Sequence, residues 1–193
     1  MIKNFALFLF IFVTINLYSQ KFEGFSGYVV TNKKDTIQCK FESVSNLFWK
    51  NIFKPSQLRN FVKTINTSWE KRKYKPFEII SFTVLGTEKG NYKFVSTQAD
   101  NYKHFYHEII FGKISFFKIY DQDMNANIIS ENIFIKNDEV QEIWSLSFRD
   151  GFGKLLIDFP ELYRKWIDSD NYYKKNQFEE VIRLYNAHFQ THK

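Results

Sequence analysis

Short runs in which apolar and polar residues alternate, separated by polar turns, fill the chain from about residue 27 to residue 144. In "IQCKF" (37–41), for example, Ile37, Cys39 and Phe41 alternate with two polar residues. A period of two places the apolar set on one face of a β-strand and the polar set on the other. Parallel strands would need long crossover connections, usually helices, and this half of the chain has no helical pattern. The alternation therefore predicts an antiparallel β-meander that forms a sandwich or an open barrel.

Turn residues join three pairs of these runs and predict β-hairpins. The segment "NKKD" (32–35) joins the first pair, Gly112-Lys113 the second and Asn137-Asp138 the third. Gly, Asn and Asp adopt the backbone conformations of tight turns at little cost. In the first hairpin Cys39 falls on the apolar face, and as the single cysteine it forms no internal disulfide. We expect a buried, unreactive thiol rather than a catalytic one.

Near residue 147 the apolar spacing changes from two residues to three or four. Phe148, Phe152 and Leu155 have helical spacing, and Pro160 suits the first turn of a second helix. The segment "NQFEEVIRLYNAHFQ" (176–190) predicts a third helix with an apolar stripe that consists of Phe178, Val181, Ile182, Tyr185 and Phe189. Strands followed by helices predict an α+β chain. We expect one domain, with a β body over residues 20–146 and helices over residues 147–193 packed on the sheet.

The first twenty residues have the features of a cleaved secretory signal peptide. Lys3 precedes an apolar run over residues 5–15, and Leu17 and Ser19 occupy the −3 and −1 positions of a cut after Ser19. The run is shorter than the roughly 20 apolar residues that span a bilayer, so an uncleaved anchor is the second interpretation. We therefore expect a signal peptide over residues 1–19 and export to the periplasm or the cell exterior. No cysteine lies near the cut, which argues against a lipoprotein.

The densest basic cluster is "EKRKYKP", residues 70–76, directly after Trp69. Basic residues interleaved with aromatic ones suit a phosphate backbone and stacked bases. An exported protein, however, meets anionic headgroups and glycans rather than nucleic acid. One short charged run is weak evidence for a binding patch, so we expect a solvated loop running up to Pro76, with an anion-contacting patch as the alternative. The candidate anion-contacting residues are Lys71, Arg72, Lys73, Tyr74 and Lys75.

Motifs that would identify a metal site or an enzyme are incomplete. "DQDMNAN" (121–127) supplies oxygens at Asp121, Asp123 and Asn125 but lacks the glycine and the glutamate of a calcium loop. His104 and His107, three residues apart on a predicted strand, point to opposite faces and would not share a metal. Neither a nucleophile elbow nor a glycine-rich phosphate loop occurs. We expect no cofactor, no metal and no catalytic residue, and leave open whether residues 121–125 bind a cation or form a polar loop.

Four short motifs follow one another along the chain: "GYVV…DTI", the hairpin "EIIFGKISFFKIY", a second hairpin, and "FPEL…VIRLYN". Together they resemble a family of exported bacterial β-rich proteins of unassigned function. Members often have a Gly-Asp-Thr turn, a Pro-x-Leu and a Tyr-Asn in closing helices. Here Lys34 stands where a turn glycine is usual, and Cys39 where a second glycine is common. The resemblance implies export and a β-rich body, and it brings no known active site.

These features favour a non-enzymatic, exported binding or structural module of the bacterial cell envelope. The expected partner is an envelope protein or a glycan, and not nucleic acid. Two alternatives stay open. The first is a small secreted hydrolase with dispersed carboxylates, because such a pair is defined by a separation of about 5–10 Å in space. The second is a basic protein in peripheral contact with an anionic membrane surface or glycans.

Overall fold

The computed structural model describes residues 24–42, 44–46, 49–125, 127–141, 143, 146–168 and 172–190. Within them, strands are followed by helices, which confirms the α+β prediction; the predicted signal peptide lies outside the described residues. The strands are β1 Gly24–Thr31, β2 Thr36–Glu42, β3 Val44–Asn46, β4 Trp49–Ile52, β5 Val62–Asn66, β6 Lys71–Tyr74, β7 Ile79–Thr87, β8 Gly90–Val95, β9 Tyr106–Ile110, β10 Ile114–Gln122, β11 Ile128–Lys136 and β12 Glu139–Gln141. The helices are α1 Phe148–Lys154, α2 Pro160–Ile167 and α3 Phe178–Gln190.

Ten strands form one antiparallel sheet in the order β12-β11-β10-β9-β8-β7-β1-β2-β5-β6, and β3 pairs separately with β4. The sheet consists of two meanders, β1-β2-β5-β6 and β7 to β12, which join where β7 pairs with β1. The strands β6 and β7 follow one another in the chain but lie four positions apart in the sheet.

The short connection between β6 and β7 forces the sheet to coil. Four positions in a flat sheet span about 19 Å, because neighbouring strands lie about 4.8 Å apart. The chain from Tyr74 to Ile79 reaches at most about 18 Å even when fully extended, and its Pro76–Glu78 segment forms a compact 3₁₀ turn that shortens it. The β6 edge therefore curls toward the start of β7, and the Asn32 amide donates to the Phe77 carbonyl at 2.9 Å. The N-terminal half of the chain, here called the barrel half, is therefore a coiled but open sheet.

The concave face of the barrel half holds an aromatic core. Phe82 stacks on Phe94 at 4.9 Å between ring centroids and meets Phe105 edge-on at the same distance. Cys39 belongs to this core with 8% of its surface exposed, which confirms the predicted first hairpin and its inward thiol. The core residues are Val29, Cys39, Phe41, Val62, Tyr74, Ile79, Phe82, Val84, Tyr92, Phe94 and Phe105.

The helices cover the same face of the sheet farther along, over β9 to β11. Phe116 and Phe134 stack at 5.2 Å, and Phe178 of α3 meets both rings edge-on. The apolar stripe predicted for α3 is confirmed: Val181, Ile182 and Tyr185 are fully buried. Pro160 occupies the first turn of α2, as predicted. No helix among the described residues combines the length and the apolar character needed to cross a bilayer.

A buried asparagine ties α3 to the β9–β10 hairpin. Asn186 Oδ1 accepts from the Ile114 N–H at 2.9 Å, and Asn186 Nδ2 donates to the Ile114 carbonyl at 2.8 Å. Gly112 makes room for this amide, since a Cβ at that position would lie 2.3 Å from Asn186 Nδ2. The predicted turn at Gly112-Lys113 is thus confirmed. Glycine is needed there because a side chain would collide with Asn186 of α3.

Two other turns show backbone conformations that favour particular residues. Asn137 and Asp138, with φ of 55° and 61°, form the predicted turn between β11 and β12. Positive φ at both central residues is the mark of the type I′ hairpin, which suits Asn and Asp. In the first hairpin Lys34 has a φ of 68°. This left-handed conformation favours glycine and explains why a glycine would suit the position.

The expectation of a solvated loop over residues 70–76 is wrong, because Lys71–Tyr74 forms the edge strand β6. The run contains one apolar residue, Tyr74, so it carries no alternation that could mark a strand. Its conformation comes from pairing with β5 and from burial of Tyr74, which is 4% exposed.

We expect Asn186→Ala to lower the free energy of unfolding by about 2–4 kcal/mol, because it leaves the N–H and the carbonyl of Ile114 buried without partners. Urea unfolding followed by circular dichroism measures this. Arg183→Ala, at an exposed position of the same helix, is the control and should change stability by less than about 0.5 kcal/mol. Equal effects of the two substitutions would contradict the assigned role of Asn186.

The Cys39 thiol should resist a bulky, water-soluble disulfide reagent. Burial raises its pKa to about 11, so little thiolate forms at pH 8. We expect the native protein to react about a hundredfold more slowly than the protein unfolded in urea. Rapid, stoichiometric labelling of the native state would show that the thiol faces solvent.

Candidate functional site

The outer face of β2, β5 and β6 carries a group of lysines, here called the lysine face: Lys40, Lys63, Lys71 and Lys73. The strand register places Lys40 and Lys71 on either side of Ile65, and Lys63 directly opposite Lys73. Side chains that lie opposite one another in an antiparallel pair have Cβ atoms about 4.5–5.5 Å apart. The pairing of β2, β5 and β6 therefore places four positive charges on a small area.

Acidic residues neutralise this face only in part. Lys63 Nζ lies 3.4 Å from a Glu42 carboxylate oxygen, and Lys73 Nζ lies 3.9 Å from the centre of the Phe61 ring. Among the described residues, neither Lys40 nor Lys71 pairs with a carboxylate. Like charges directly opposite in a sheet are destabilising, although lysines on an edge strand also prevent edge-to-edge aggregation. The lysine face keeps a positive potential.

An exposed tryptophan stands on the turn between β5 and β6. Asn66 Oδ1 accepts from the N–H groups of Ser68 and Glu70 at 3.0 and 2.9 Å, and the Trp69 N–H donates to the Asn66 carbonyl at 3.1 Å. This turn gives Trp69 a φ of 63°, in the left-handed region that costs an L-residue about 1–2 kcal/mol. The indole is nevertheless 67% exposed. Such strain on an exposed aromatic residue is a feature of functional positions.

Two adjoining depressions connect the indole to the lysines, and together they are called the Trp69 groove. The first, of about 370 Å³, is lined by residues that include Ser26, Gln38, Lys40, Ile65 and Trp69. The second, of about 330 Å³, is lined by side chains that include Glu42, Lys63, Ile65, Lys71 and Lys73. They meet at Ile65. The groove thus has an aromatic platform at one end and ammonium groups at the other, with amide and hydroxyl groups between.

The structure separates the five candidate residues instead of bringing them together. Lys71 and Lys73 belong to the lysine face. Tyr74 points into the barrel core, and the Arg72 guanidinium carbon lies 4.6 Å from the centre of its ring. Lys75 follows the strand, and its N–H donates to a Glu78 carboxylate oxygen at 2.6 Å. The alternation of β6 explains the split, since consecutive side chains point to opposite faces.

Sequence reasoning missed Lys40, Lys63 and Gln38 because they lie far from residues 70–76 along the chain. A signal was nevertheless present. Lys40 and Gln38 are the polar positions of the alternating run "IQCKF", so they had to lie on its outer face. Which strand would pair beside that face was not evident from the alternation alone.

The segment that resembles a calcium loop closes the β10–β11 hairpin. Asp123 Oδ1 accepts from the N–H groups of Asn125 and Asn127 at 2.9 and 2.8 Å, and the hydrogen bonds from Asn127 lower the pKa of Asp123. The Asp121 carboxylate pairs with Arg59. The described residues contain no group of three or more His, Cys, Asp or Glu side chains placed to hold a metal ion.

The two histidines of "HFYHE" have separate partners. His104 Nδ1 lies 3.0 Å from Asn60 Oδ1, whereas His107 Nδ1 lies 2.8 Å from the Tyr120 hydroxyl. Neither contact brings the two rings together, so the pair does not form a shared ligand set.

Comparison with known proteins gives no match: no protein-family model, no curated protein and no solved structure is similar to this chain. The resemblance to a family of exported β-rich proteins stays a prediction. The site is therefore interpreted from its own geometry and chemistry.

Replacing Trp69 by glycine should leave the protein as stable as before or stabilise it by about 1 kcal/mol. Glycine adopts the left-handed conformation without strain, and little buried surface is lost. Trp69→Ala, which keeps the strained φ, is the matched control and should be less stable than Trp69→Gly. The free energy of unfolding in urea tests this. A clear loss of stability in Trp69→Gly would mean that the indole stabilises the turn.

Proposed function

We propose that the protein is an exported binding module whose Trp69 groove holds an anionic glycan of the cell envelope. The observation that carries the proposal is that the exposed Trp69 indole and the lysine face line two adjoining depressions that share Ile65. The proposal rests on the chemistry of these side chains.

Each end of the groove suits a different part of an acidic sugar. The C–H face of a sugar ring is apolar and packs on a flat indole. Because the tryptophan side chain has few rotatable bonds, it loses little conformational entropy on binding. Hydroxyl groups of the sugar match the amide of Gln38 and the hydroxyl of Ser26, which share the outer face with Lys40. Carboxylate or sulfate groups match the ammonium groups of Lys40 and Lys71, which have no carboxylate partner among the described residues.

A glycan fits these features better than an anionic membrane surface does. Headgroup attraction needs positive charge alone and gains little from a groove. The polar side chains between Trp69 and the lysines are arranged for a ligand that carries many hydroxyl groups. A membrane surface therefore enters the experiment as the competing outcome.

The pKa values of three acidic residues also favour binding without hydrolysis. A general acid of glycoside hydrolysis needs a raised pKa. Hydrogen bonds lower the pKa of Asp123 and of Glu161. Burial by itself would raise the pKa of Asp158, but hydrogen bonds from Lys136 and Tyr185 outweigh this effect, so the pKa is lowered.

The carboxylates nearest the groove are engaged. Glu42 pairs with Lys63, and a Glu70 carboxylate oxygen accepts from the Asn66 amide at 2.8 Å. These contacts suit carboxylates that shape a binding surface.

Export is supported by the sequence of residues 1–19, which combines a basic start, an apolar run and a small residue at the cut. An envelope location would place the groove beside polyanionic glycans. The chain has 27 Lys and Arg against 21 Asp and Glu, so its overall charge assists the approach of such a partner.

Calorimetric titration with polygalacturonate, a carboxylated polysaccharide, tests the proposal, with neutral dextran as the comparison. We expect saturable binding of polygalacturonate alone, and weaker binding as salt screens the lysines. The double substitution Lys71→Gln/Lys73→Gln should weaken binding by about five- to thirtyfold, at about 1 kcal/mol or less per exposed pair. Trp69→Gly should weaken it further without loss of stability.

The matched control is Lys33→Gln/Lys103→Gln, which removes the same charge at exposed positions outside the groove. An equal loss of affinity in this control would show that the effect of the Lys71 and Lys73 substitutions comes from net charge alone. Binding to anionic lipid vesicles but not to polygalacturonate would identify the membrane surface as the partner. Equal affinity for neutral dextran would show that the lysines do not contribute to binding.

A further inference from the structure

A second cavity lies on the opposite, concave face of the sheet, and it is called the Tyr120 cavity. It is open to solvent on one side and has a volume of about 450 Å³ between the β7–β8 turn and the strands β10 and β11. Along β10, Phe116 belongs to the core under the helices, while Tyr120, on the same face, packs against the barrel core. The cavity occupies the gap between the two cores. Its lining includes Phe53, Lys89, Tyr92, Lys118, Tyr120 and Ser130.

Aromatic rings form one wall of the Tyr120 cavity. Phe53 and Tyr92 lie 4.7 Å apart between ring centroids, and Tyr92 lies 4.5 Å from the His107 ring on its other side. Tyr92 is 9% exposed, and its ring is tilted by 50° to Phe53 and by 31° to His107. An aromatic wall of packed, tilted rings suits the apolar body of a ring-shaped ligand.

A hydrogen-bonded pair of neutral groups stands beside this wall. His107 Nδ1 lies 2.8 Å from the Tyr120 hydroxyl. Burial, aided by the Lys118 charge, lowers the pKa of His107 to about 4, and burial raises the pKa of Tyr120 to about 12. Both groups are therefore uncharged at pH 7. When the His107 proton resides on Nδ1 and is donated to the Tyr120 oxygen, the Tyr120 hydroxyl can donate its own proton into the cavity.

Lys118 supplies a positive charge to the lining beside this wall. Lys118 lies beside His107 on β9 and opposite Asn132 on β11, and it is half-buried. It forms no ion pair with a carboxylate of the described chain. At the rim, Glu88 and Lys89 have opposite charges. A lysine that is partly buried and has no carboxylate partner favours an anion near its ammonium group.

We propose that the Tyr120 cavity binds a small organic anion, with its carboxylate or phosphate group at Lys118 and Tyr120 and its ring against Phe53 and Tyr92. The Lys118 ammonium supplies the opposite charge, and the Tyr120 hydroxyl, oriented by His107, donates the directional hydrogen bond. A volume of about 450 Å³ suits a ligand of one or two rings. The site is separate from the Trp69 groove, which lies on the other face of the sheet.

Nuclear magnetic resonance titration of the full chain tests this, with the His107 ring signals as the reporter. Benzoate and phenyl phosphate are the anionic probes, and benzyl alcohol is the uncharged probe of the same size. We expect saturable shifts of the His107 ring with at least one anion, and binding by benzyl alcohol at least about tenfold weaker. The tighter of the two anions identifies whether the site prefers a carboxylate or a phosphate.

Substitutions then assign the contacts. Lys118→Gln should weaken binding about tenfold, and Lys118→Arg, which keeps the charge, should weaken it less. Tyr120→Phe should weaken it about threefold to tenfold because one hydrogen bond is lost. Lys154→Gln, an exposed lysine at the end of α1, is the matched control and should leave the affinity unchanged.

Three results would overturn the proposal: no saturable shift with either anion, equal binding of benzyl alcohol, or undiminished binding to Lys118→Gln. Urea unfolding of each variant shows whether it folds. If Lys118→Gln is unfolded, the comparison of benzoate with benzyl alcohol on the native chain decides alone. Polygalacturonate binding should be unchanged in Lys118→Gln, which keeps this test independent of the Trp69 groove.

Discussion

The short connection between β6 and β7 is the constraint on which the rest of the structure depends. The residues from Tyr74 to Ile79 do not span the width of four strands in a flat sheet, so the sheet coils until its edge approaches β7. Coiling gives the sheet a concave face, which encloses the barrel core, and a convex face, which carries Lys40 and Lys71. The two sides therefore have different chemistry. Apolar rings meet inside, and hydrated ammonium groups stand outside.

The proposed sites lie where this architecture departs from local preference. Trp69 holds a left-handed conformation that suits glycine, and Lys63 stands opposite Lys73 where opposite charges would be more stable. Both departures fall on one groove. Other parts of the molecule supply stability, including the Asn186 amide bonded to both backbone groups of Ile114. The lysines on β6 also protect an exposed sheet edge, so one set of side chains can serve solubility and binding together.

Features set by neighbours in the chain could be predicted from the sequence. The first hairpin and the inward position of Cys39 follow from alternation over a few residues, and Pro160 marks the start of α2 because its ring suits a first helical turn. The strand β6 was not predictable in this way. Its conformation depends on pairing with β5 and on the burial of Tyr74, and neither is encoded by the four residues themselves.

The sequence by itself determined the α+β class, the hairpins with their turn residues, the buried thiol and the apolar stripe of α3, because each depends on spacing within one short segment. Only the tertiary structure decided that β7 pairs with β1, that Lys40 joins Lys71 across Ile65, and that a cavity opens beside Tyr120. Those contacts join residues that are distant in the chain. Many pairings satisfy the same alternation, and the closure of the coiled sheet selects one of them.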